Sequence, residues 1–308
     1  MEPQWLYSNW YKMSNADLTQ TPIGTAPSTG TRVALLVEYS GTNYSGFQFQ
    51  SNTSTIQGTL ESALEKLTGT FIRIHGASRT DSGAHALGQV VSFTHYTGLD
   101  TSTFVNGLNF YLPDDVKVKH ARKVALNFSP RHDALSRTYE YRVLTSRTPS
   151  PLLNYRAFHF PFNIDLDSLK EASSFLIGTR DFRPFTNVPD DVTTIRRIDT
   201  LDIQSTTQIL TLTVKGNAFL PKQIRRMVGM LLEVGKGTTS LTSFKTISSA
   251  ENKLQAGPTT PSHGLYLTNV CYADWESSQP TTLRHVATSP TMLGHVTNNQ
   301  EKYEAVLC

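Results

Sequence analysis

Apolar and polar residues follow one another along the central part of the chain with the spacings of strands and helices. The run at 32–39 (RVALLVEY) is β-branched and apolar, which is typical of a buried strand. Downstream, Ser54 stands three residues before Gln57, a capping-box pattern that marks the start of a helix. Helical spacing of apolar residues follows at Ile56, Leu60, Ala63, Leu64 and Leu67. We therefore expect a strand, a loop and an amphipathic helix at the start of the folded region.

The same two patterns continue to residue 272. Strands outnumber helices and their order is mixed, which favours an α+β fold over a parallel doubly wound sheet. We predict two similar α+β halves, at 32–130 and 131–273, that share one mixed, mainly antiparallel central sheet with a cleft between them. The further strands are expected at 71–76, 87–96, 116–124, 135–144, 195–203, 209–214 and 264–272, and the further helices at 103–112, 165–177, 221–234 and 244–256.

The two ends of the chain lack this periodicity. Residues 1–31 are rich in Thr, Ser, Pro and Asn, and residues 274–308 are polar in the same way. Segments of this composition bury too little apolar surface to offset the entropy lost on folding. We expect both to be flexible tails.

Composition and charge narrow the class of protein. With 308 residues and 38% apolar content, the chain can bury a substantial core. The net charge of +3 is too small by itself to indicate a nucleic-acid partner. No apolar run approaches the roughly 18 residues of a membrane span, and residues 1–32 lack the apolar core of a secretory signal. We expect a cytoplasmic protein that does not enter a membrane.

Metal chemistry has little support in the sequence. The two cysteines, Cys271 and Cys308, do not form a Cys-x-x-Cys pair, and the nine histidines include no His-x-x-x-His pair. We expect no metal site.

The loop at 77–85 (ASRTDSGAH) is the strongest candidate for chemistry, because two predicted strands flank it. The carboxylate of Asp81 is available there as a nucleophile or a base. An ordinary surface turn explains the same residues, with Asp81 and Ser82 turning the chain and Arg79 solvated. The flanking apolar strands argue for catalysis, because they would hold the loop at one end of a sheet, but the residues alone leave both interpretations open.

Burial of Asp81 would require a cation beside it. Arg225 lies on the predicted helix at 221–234 and could project toward a carboxylate at the end of the sheet. The alternative is a solvated basic face formed by Lys222, Arg225 and Arg226. The helix by itself leaves both interpretations open.

Aromatic and basic residues interleave in the segment at 128–141 (FSPRHDALSRTYEY). Tyr139 and Tyr141 alternate on the predicted strand with Arg137 beside them, an arrangement that can stack a base and hold phosphates. Alternating tyrosines are also ordinary residues of a β-sheet. Here too both interpretations stay open.

Taken together, five segments resemble the motifs of the tRNA pseudouridine synthase A family, over roughly residues 32–273. Any one match would be weak, but five in the family's order make the resemblance specific. The matching segments are 33–48, 79–86 (RTDSGAHA), 128–141, 216–229 (GNAFLPKQIRRMVG) and 261–267 (PSHGLYL).

This resemblance implies a pseudouridine-synthase-like fold and a reaction without cofactor or metal. The implied activity is the isomerisation of uridine to pseudouridine at positions 38, 39 and 40 of the tRNA anticodon stem-loop. The resemblance also implies a homodimer in which the tRNA contacts both subunits.

Roles for individual residues follow from the same resemblance. Asp81 matches the family's essential aspartate, which forms a covalent adduct with the sugar or the base. Arg79 matches the arginine that assists base flipping, and Tyr139 matches the tyrosine that packs on the flipped uracil and can act as a base. Arg225 matches the arginine that pairs with the aspartate and keeps it ionised.

Other basic residues are then interpreted as contacts to the RNA backbone. The site contacts we expect are Arg131, Arg137, Lys222 and Arg226; the same track would include Lys117, Lys119, Arg122, Lys123, Arg196 and Arg197.

Three residues depart from the family's motifs. Ser78 stands in place of a glycine, Ser82 in place of an alanine and Arg180 in place of a histidine. Two rival functions remain at this stage: an RNA-binding module without catalysis, and a hydrolase that uses Asp81 and His85.

Overall fold

The computed structural model describes residues 29–249 and 257–273. Strands and α-helices are both abundant within these ranges, so the predicted α+β class is confirmed. The strands are β1 (Thr31–Tyr39), β2 (His75–Gly76), β3 (His85–His95), β4 (Val116–Val124), β5 (Ser136–Leu144), β6 (Phe158–His159), β7 (Gly178–Asp181), β8 (Ile195–Ser205), β9 (Ile209–Gly216) and β10 (Leu265–Cys271). The α-helices are α1 (Ile56–Thr68), α2 (Thr101–Tyr111), α3 (Leu166–Ser174), α4 (Gln223–Gly235) and α5 (Leu241–Ser248).

All the described strands belong to one sheet, whose main path runs β4-β1-β3-β10-β5-β9-β8-β7. Neighbouring strands are antiparallel except where β10 meets β3 and where β6 meets β5. The predicted mixed, mainly antiparallel sheet is therefore confirmed. Strand β10 lies between β3 and β5, so the last strand in the chain joins strands from the two predicted halves. The boundary between those halves at residues 130 and 131 stays a prediction.

Helix α4 contributes much of the core in the second part of the chain. Its apolar residues follow helical spacing, and Ile224, Met227, Val228 and Leu231 are all buried. The helix packs against α3 and α5. Because this burial fixes the helix, it also fixes the direction of the arginines in the first turn.

The start of α1 differs from the predicted capping box. Thr55, not Ser54, is the N-cap, and its Oγ1 accepts a hydrogen bond from the Gly58 N–H at 3.2 Å. Gln57 does not reach back to the cap, since its Oε1 accepts from the Phe49 N–H at 2.9 Å. The capping-box prediction was therefore wrong by one residue, although the helix itself is confirmed.

Two strand predictions also needed correction. Of the strand expected at 71–76, only β2 pairs with β3, and Phe71 is exposed beside the guanidinium of Arg73. The residues at 71–74 thus form a loop, in which Ile74 is buried and Phe71 is exposed. Strand β7 was not predicted, because four residues of mostly polar character (GTRD) carry too short a pattern.

The predicted helix at 244–256 is α5, which begins earlier because Ser240 caps it through the Ser243 N–H at 3.1 Å. Its predicted end at 250–256 lies outside the described residues, as do the predicted tails apart from residues 29–31. Among the helices of the described ranges, none has the length and apolar character needed to cross a membrane.

Candidate active site

The loop at 77–84 is attached to the segment at 40–47 that follows β1. The Phe47 N–H donates to the Thr80 carbonyl oxygen at 3.1 Å. Gly46 has a φ of 96°, and a Cβ at that position would lie 2.9 Å from the same carbonyl oxygen. Glycine fits this positive φ and close approach, whereas a side chain would push the loop away. Two sequence motifs therefore form one rigid support for Asp81.

His85 holds the far end of this loop. Its Nδ1 accepts from the Gly41 N–H at 3.1 Å, so Nε2 carries the proton and donates to the Tyr155 carbonyl oxygen at 2.9 Å. Burial lowers the pKa of His85, because desolvation disfavours the imidazolium. Both ring nitrogens are thus occupied by backbone groups. His85 is structural, which removes the second group that a hydrolase would need.

Asp81 and Arg225 form an ion pair within the site. Nη1 of Arg225 donates to Oδ2 of Asp81 at 2.7 Å, and Nε of Arg225 donates to the Thr260 carbonyl oxygen at 2.6 Å. The side chains of Arg225 and Asp81 are 15% and 30% exposed. The predicted contact is therefore present, with a partly desolvated carboxylate that faces a fixed cation. A second contact to Thr260 holds the guanidinium in place.

Tyr139 lies on β5, next to this pair. Its ring meets the ring of Phe219 edge to face, with centroids 5.3 Å apart. Its hydroxyl lies 2.5 Å from Oγ of Ser78. Burial raises the pKa of Tyr139, although the hydrogen bond with Ser78 and the nearby charge of Arg137 act in the opposite direction. The phenol is consequently neutral at pH 7.

These groups face one cavity of about 460 Å³. This volume lies within the roughly 300–1,000 Å³ of ordinary small-ligand clefts. Of the residues singled out in the sequence, the cavity brings together Asp81, Tyr139, Arg79, Arg225, Arg131, Arg137 and Lys222. Arg180 and Arg226 are not among its lining residues.

The basic residues at the cavity differ in what their charges contact. Arg79, Arg131 and Lys222 are exposed. Lys222 is the N-cap of α4 and adopts a φ of 62°, a left-handed conformation that is uncommon for a residue with a side chain. These three cations can reach a ligand in the cavity mouth.

Arg137 and Arg226 are buried, unlike the three exposed cations. Arg137 is 8% exposed, and its guanidinium donates to the carbonyl oxygens of Asn217 at 2.7 Å and Ala77 at 3.4 Å, and also to that of Arg131. Arg226 is 6% exposed and donates to the Thr186 carbonyl oxygen at 3.4 Å. Both guanidinium groups are mostly buried and contact backbone oxygens, and their predicted contacts with phosphates stay a prediction.

The wider basic track is also weaker than its sequence suggests, because several members are paired with carboxylates. The pairs are Lys117 with Asp114 at 3.5 Å, Lys119 with Glu38 at 3.1 Å, and Arg197 with Asp199 at 2.6 Å.

Two residues of the site were not assigned roles from the sequence. Phe219 packs against Tyr139, and its place in the segment at 216–229 could have indicated this. Gln89 is fully buried on β3 and bonds both backbone groups of Ser78. A polar residue between the apolar ones at 86–88 and 90–91 was the available signal for Gln89. Within the described parts of the chain, no group of three or more His, Cys, Asp or Glu residues could hold a metal ion.

Comparison with known proteins decides the family. A family model described as tRNA pseudouridine synthase matches residues 35–133 and 172–273, more than half of the chain. The chain belongs to the tRNA pseudouridine synthase family. Its α+β sheet is accordingly the fold of a pseudouridine synthase, and the protein is an isomerase that acts on uridine in tRNA.

Curated relatives support the same family assignment. The tRNA pseudouridine synthase A of Acetivibrio thermocellus is 38% identical over 241 residues, which cover 78% of this synthase and 99% of the relative. The tRNA pseudouridine synthase A of Streptococcus agalactiae is 38% identical over 251 residues, covering 80% and 97%. A chain of a solved Cbf5-Nop10-Gar1 complex is 10% identical with a TM-score of 0.31, covering 77% of this synthase and 58% of that chain. That last likeness is too distant to carry an argument.

Proposed function

We propose that this synthase converts uridine to pseudouridine at positions 38, 39 and 40 of the tRNA anticodon stem-loop, with Asp81 as its nucleophile. The observation that carries the proposal is the ion pair of Asp81 and Arg225 in a cavity of about 460 Å³ walled by Tyr139. A passive RNA-binding surface gains nothing from a carboxylate, which repels phosphates. A nucleophilic carboxylate, by contrast, gains from a cation that fixes its direction in the site.

The reaction begins when the target uridine leaves its stack in the stem. Unstacking a base costs a few kcal/mol, which contacts inside the cavity must offset. Arg79 is exposed at the cavity, from where its planar guanidinium can occupy the space that the base vacates. We therefore assign the flipping role to Arg79.

The chemical step replaces the bond between C1′ of the sugar and N1 of the base by a bond between C1′ and C5. Asp81 attacks the sugar or the base, and the bond between C1′ and N1 breaks. The uracil turns so that C5 bonds to C1′, and the bond between Asp81 and the substrate breaks, which restores the free carboxylate. C5 then loses its proton and N1 gains one. Substrate and product contain the same atoms at the same oxidation level, so the proposed reaction consumes no oxidant, reductant or second substrate.

Tyr139 would pack against the detached uracil and keep it in the cavity. Its ring is fixed by Phe219 and its hydroxyl by Ser78. Because burial raises the pKa of Tyr139, the neutral phenol suits packing better than proton abstraction at pH 7. Of the two roles that the family resemblance gives this tyrosine, we propose the packing role.

The RNA backbone would lie across the cavity mouth. Arg131 and Lys222 are far apart in the sequence, but both are exposed at this cavity. Each can neutralise a phosphate of the backbone. We further propose that the synthase acts in the cytoplasm as a homodimer, with the tRNA contacting both subunits.

Release of tritium from C5 of uracil tests the proposal. The purified full chain is incubated with tRNAs that carry 5-tritiated uridine at one position only, 38, 39 or 40. We expect release by the wild type and a loss of roughly 10³-fold or more for Asp81→Asn, with tRNA binding retained. Asp114→Asn is the matched control, since Asp114 is fully exposed and does not line the cavity.

Each result decides a different part of the proposal. Absence of release from all three tRNAs, with binding intact, would overturn the activity and favour an RNA-binding module. Release by Asp81→Asn at the wild-type rate would overturn the role of Asp81 alone.

A further inference from the structure

The backbone of Ser78 is held by hydrogen bonds to the buried side-chain amide of Gln89. Its N–H donates to Oε1 of Gln89 at 3.2 Å, and its carbonyl oxygen accepts from Nε2 of Gln89 at 2.7 Å. Gln89 is fully buried in the centre of β3. The backbone of Ser78 is therefore anchored to the sheet, three residues before Asp81, and its side chain starts from a fixed point.

The hydroxyl of Ser78 lies 2.5 Å from the hydroxyl of Tyr139. Tyr139 is 6% exposed, so little water is available to replace this contact. A buried hydroxyl that loses its partner is unfavourable and turns toward another polar group where it can. Asp81 lines the same cavity as Tyr139, so its carboxylate is a polar group toward which the freed hydroxyl can turn.

The contact thus connects two parts of the site that the chain keeps apart. On one side is the loop that carries Asp81; on the other is β5, which carries Tyr139 and, through Phe219, meets the segment that leads into α4. Among the side chains of the described residues, Ser78 is the one that hydrogen-bonds the Tyr139 hydroxyl, so losing its Oγ would free the phenol to approach the carboxylate.

We propose that Ser78 is a positioning residue that holds the phenol of Tyr139 in one orientation, with its ring presented to the cavity and its hydroxyl kept off Asp81. The inference rests on the proposed function, in which the ring of Tyr139 is the surface against which the detached uracil packs. Ser78 lines the cavity but takes no part in making or breaking bonds. It acts on the rate through Tyr139, and substrate affinity depends on it little.

A double-mutant cycle tests this role. Single-turnover rates of tritium release, with enzyme in excess so that slow variants remain measurable, are compared for Ser78→Ala, Tyr139→Phe and the double variant. We expect Ser78→Ala to slow the reaction roughly tenfold, while the Kd for tRNA changes by less than about threefold. In the Tyr139→Phe background the same change should have no effect, because phenylalanine has no hydroxyl to hold.

Controls separate this role from a general loss of structure. Ser62→Ala removes an exposed hydroxyl on α1 and should react at the wild-type rate. Thermal unfolding of each variant reports whether the fold is kept, and a loss that is merely structural would be additive with Tyr139→Phe.

Three outcomes would overturn the proposal. In the first, the Ser78→Ala variant reacts as fast as the wild type. In the second, the Ser78→Ala substitution slows the Tyr139→Phe variant by the same factor by which it slows the wild type. Either would remove the role of Ser78 and leave the proposed function standing. A wild type that releases no tritium would instead overturn the proposed function, and this inference with it.

Discussion

Asp81 and Arg225 are 144 residues apart in the chain, yet they meet at 2.7 Å. Two charges about 4 Å apart attract each other by roughly 4 kcal/mol near a protein surface, and desolvation of both groups offsets part of that. The net effect on stability is therefore smaller than the effect on the carboxylate, which gains a fixed direction and a permanent cation. We expect changes at this pair to alter turnover more than folding.

For Arg225→Ala, we predict a fall in kcat of about 100-fold and a much smaller loss of tRNA affinity. Leaving a charged partner unpaired costs about 2–5 kcal/mol, and Arg225 is only 15% exposed, so it offers little to the RNA backbone. Single-turnover tritium release and filter binding measure the two quantities separately. Arg180→Ala removes an exposed arginine outside the cavity and serves as the control. Wild-type turnover in Arg225→Ala would contradict the ion-pair proposal.

At the scale of single elements, α1 shows how a helix start depends on one side chain. Thr55 is 2% exposed and its Oγ1 accepts from the Gly58 N–H, which has no partner inside the helix. The neighbouring Ser54 is exposed and its side chain does not cap the helix. The two hydroxyl residues are adjacent in sequence, so they form a matched pair for measurement.

We predict that Thr55→Ala lowers the free energy of unfolding by about 1 kcal/mol, because a helix N–H loses its acceptor. For a protein of this size the melting temperature should fall by roughly 2–4 °C. Ser54→Ala should leave the melting temperature unchanged. Calorimetry of both variants distinguishes the two caps, and an equal loss for Ser54→Ala would restore the capping box predicted from the sequence.

At the scale of the whole molecule, the distribution of charged residues matters more than the net charge. The net charge is only +3, but Arg79, Arg131 and Lys222 stand exposed around one cavity. Local clusters of cations attract phosphates even when the overall charge is small. Binding of tRNA should therefore depend on salt through these few residues.

We predict that the logarithm of the tRNA binding constant falls linearly with the logarithm of salt concentration, by roughly 0.7–0.9 for each phosphate contacted. Arg131→Ala and Lys222→Ala should each reduce the slope by about one such increment. Titrations between about 50 and 200 mM salt measure it. A slope near zero for the wild type would contradict the proposed RNA path, and unchanged slopes in both variants would place that path elsewhere.

The sequence determined the elements whose periodicity extends over many residues. The strand predicted at 116–124 has the same bounds as β4, and the strand at 32–39 differs from β1 by one residue. The family motifs then pointed to Asp81, Arg225 and Tyr139, which do lie together. The spacing of apolar side chains indicates which residues can be buried on one face of a helix or strand. A motif keeps the residues that the chemistry requires in a fixed order along the chain. Both signals can therefore be found in the sequence alone.

Only the tertiary structure decided which polar groups meet. Arg137 and Arg226 look like surface cations in the sequence, but their guanidinium groups bind carbonyl oxygens of distant segments. The contact of Ser78 with Tyr139, 61 residues away, has no signature in either local pattern. A long side chain at a given position in the sequence can point either to solvent or to the interior. In addition, strand β10 lies between β3 and β5 and so brings together segments that are far apart in the chain. Such choices depend on long-range packing, which no local window of sequence contains.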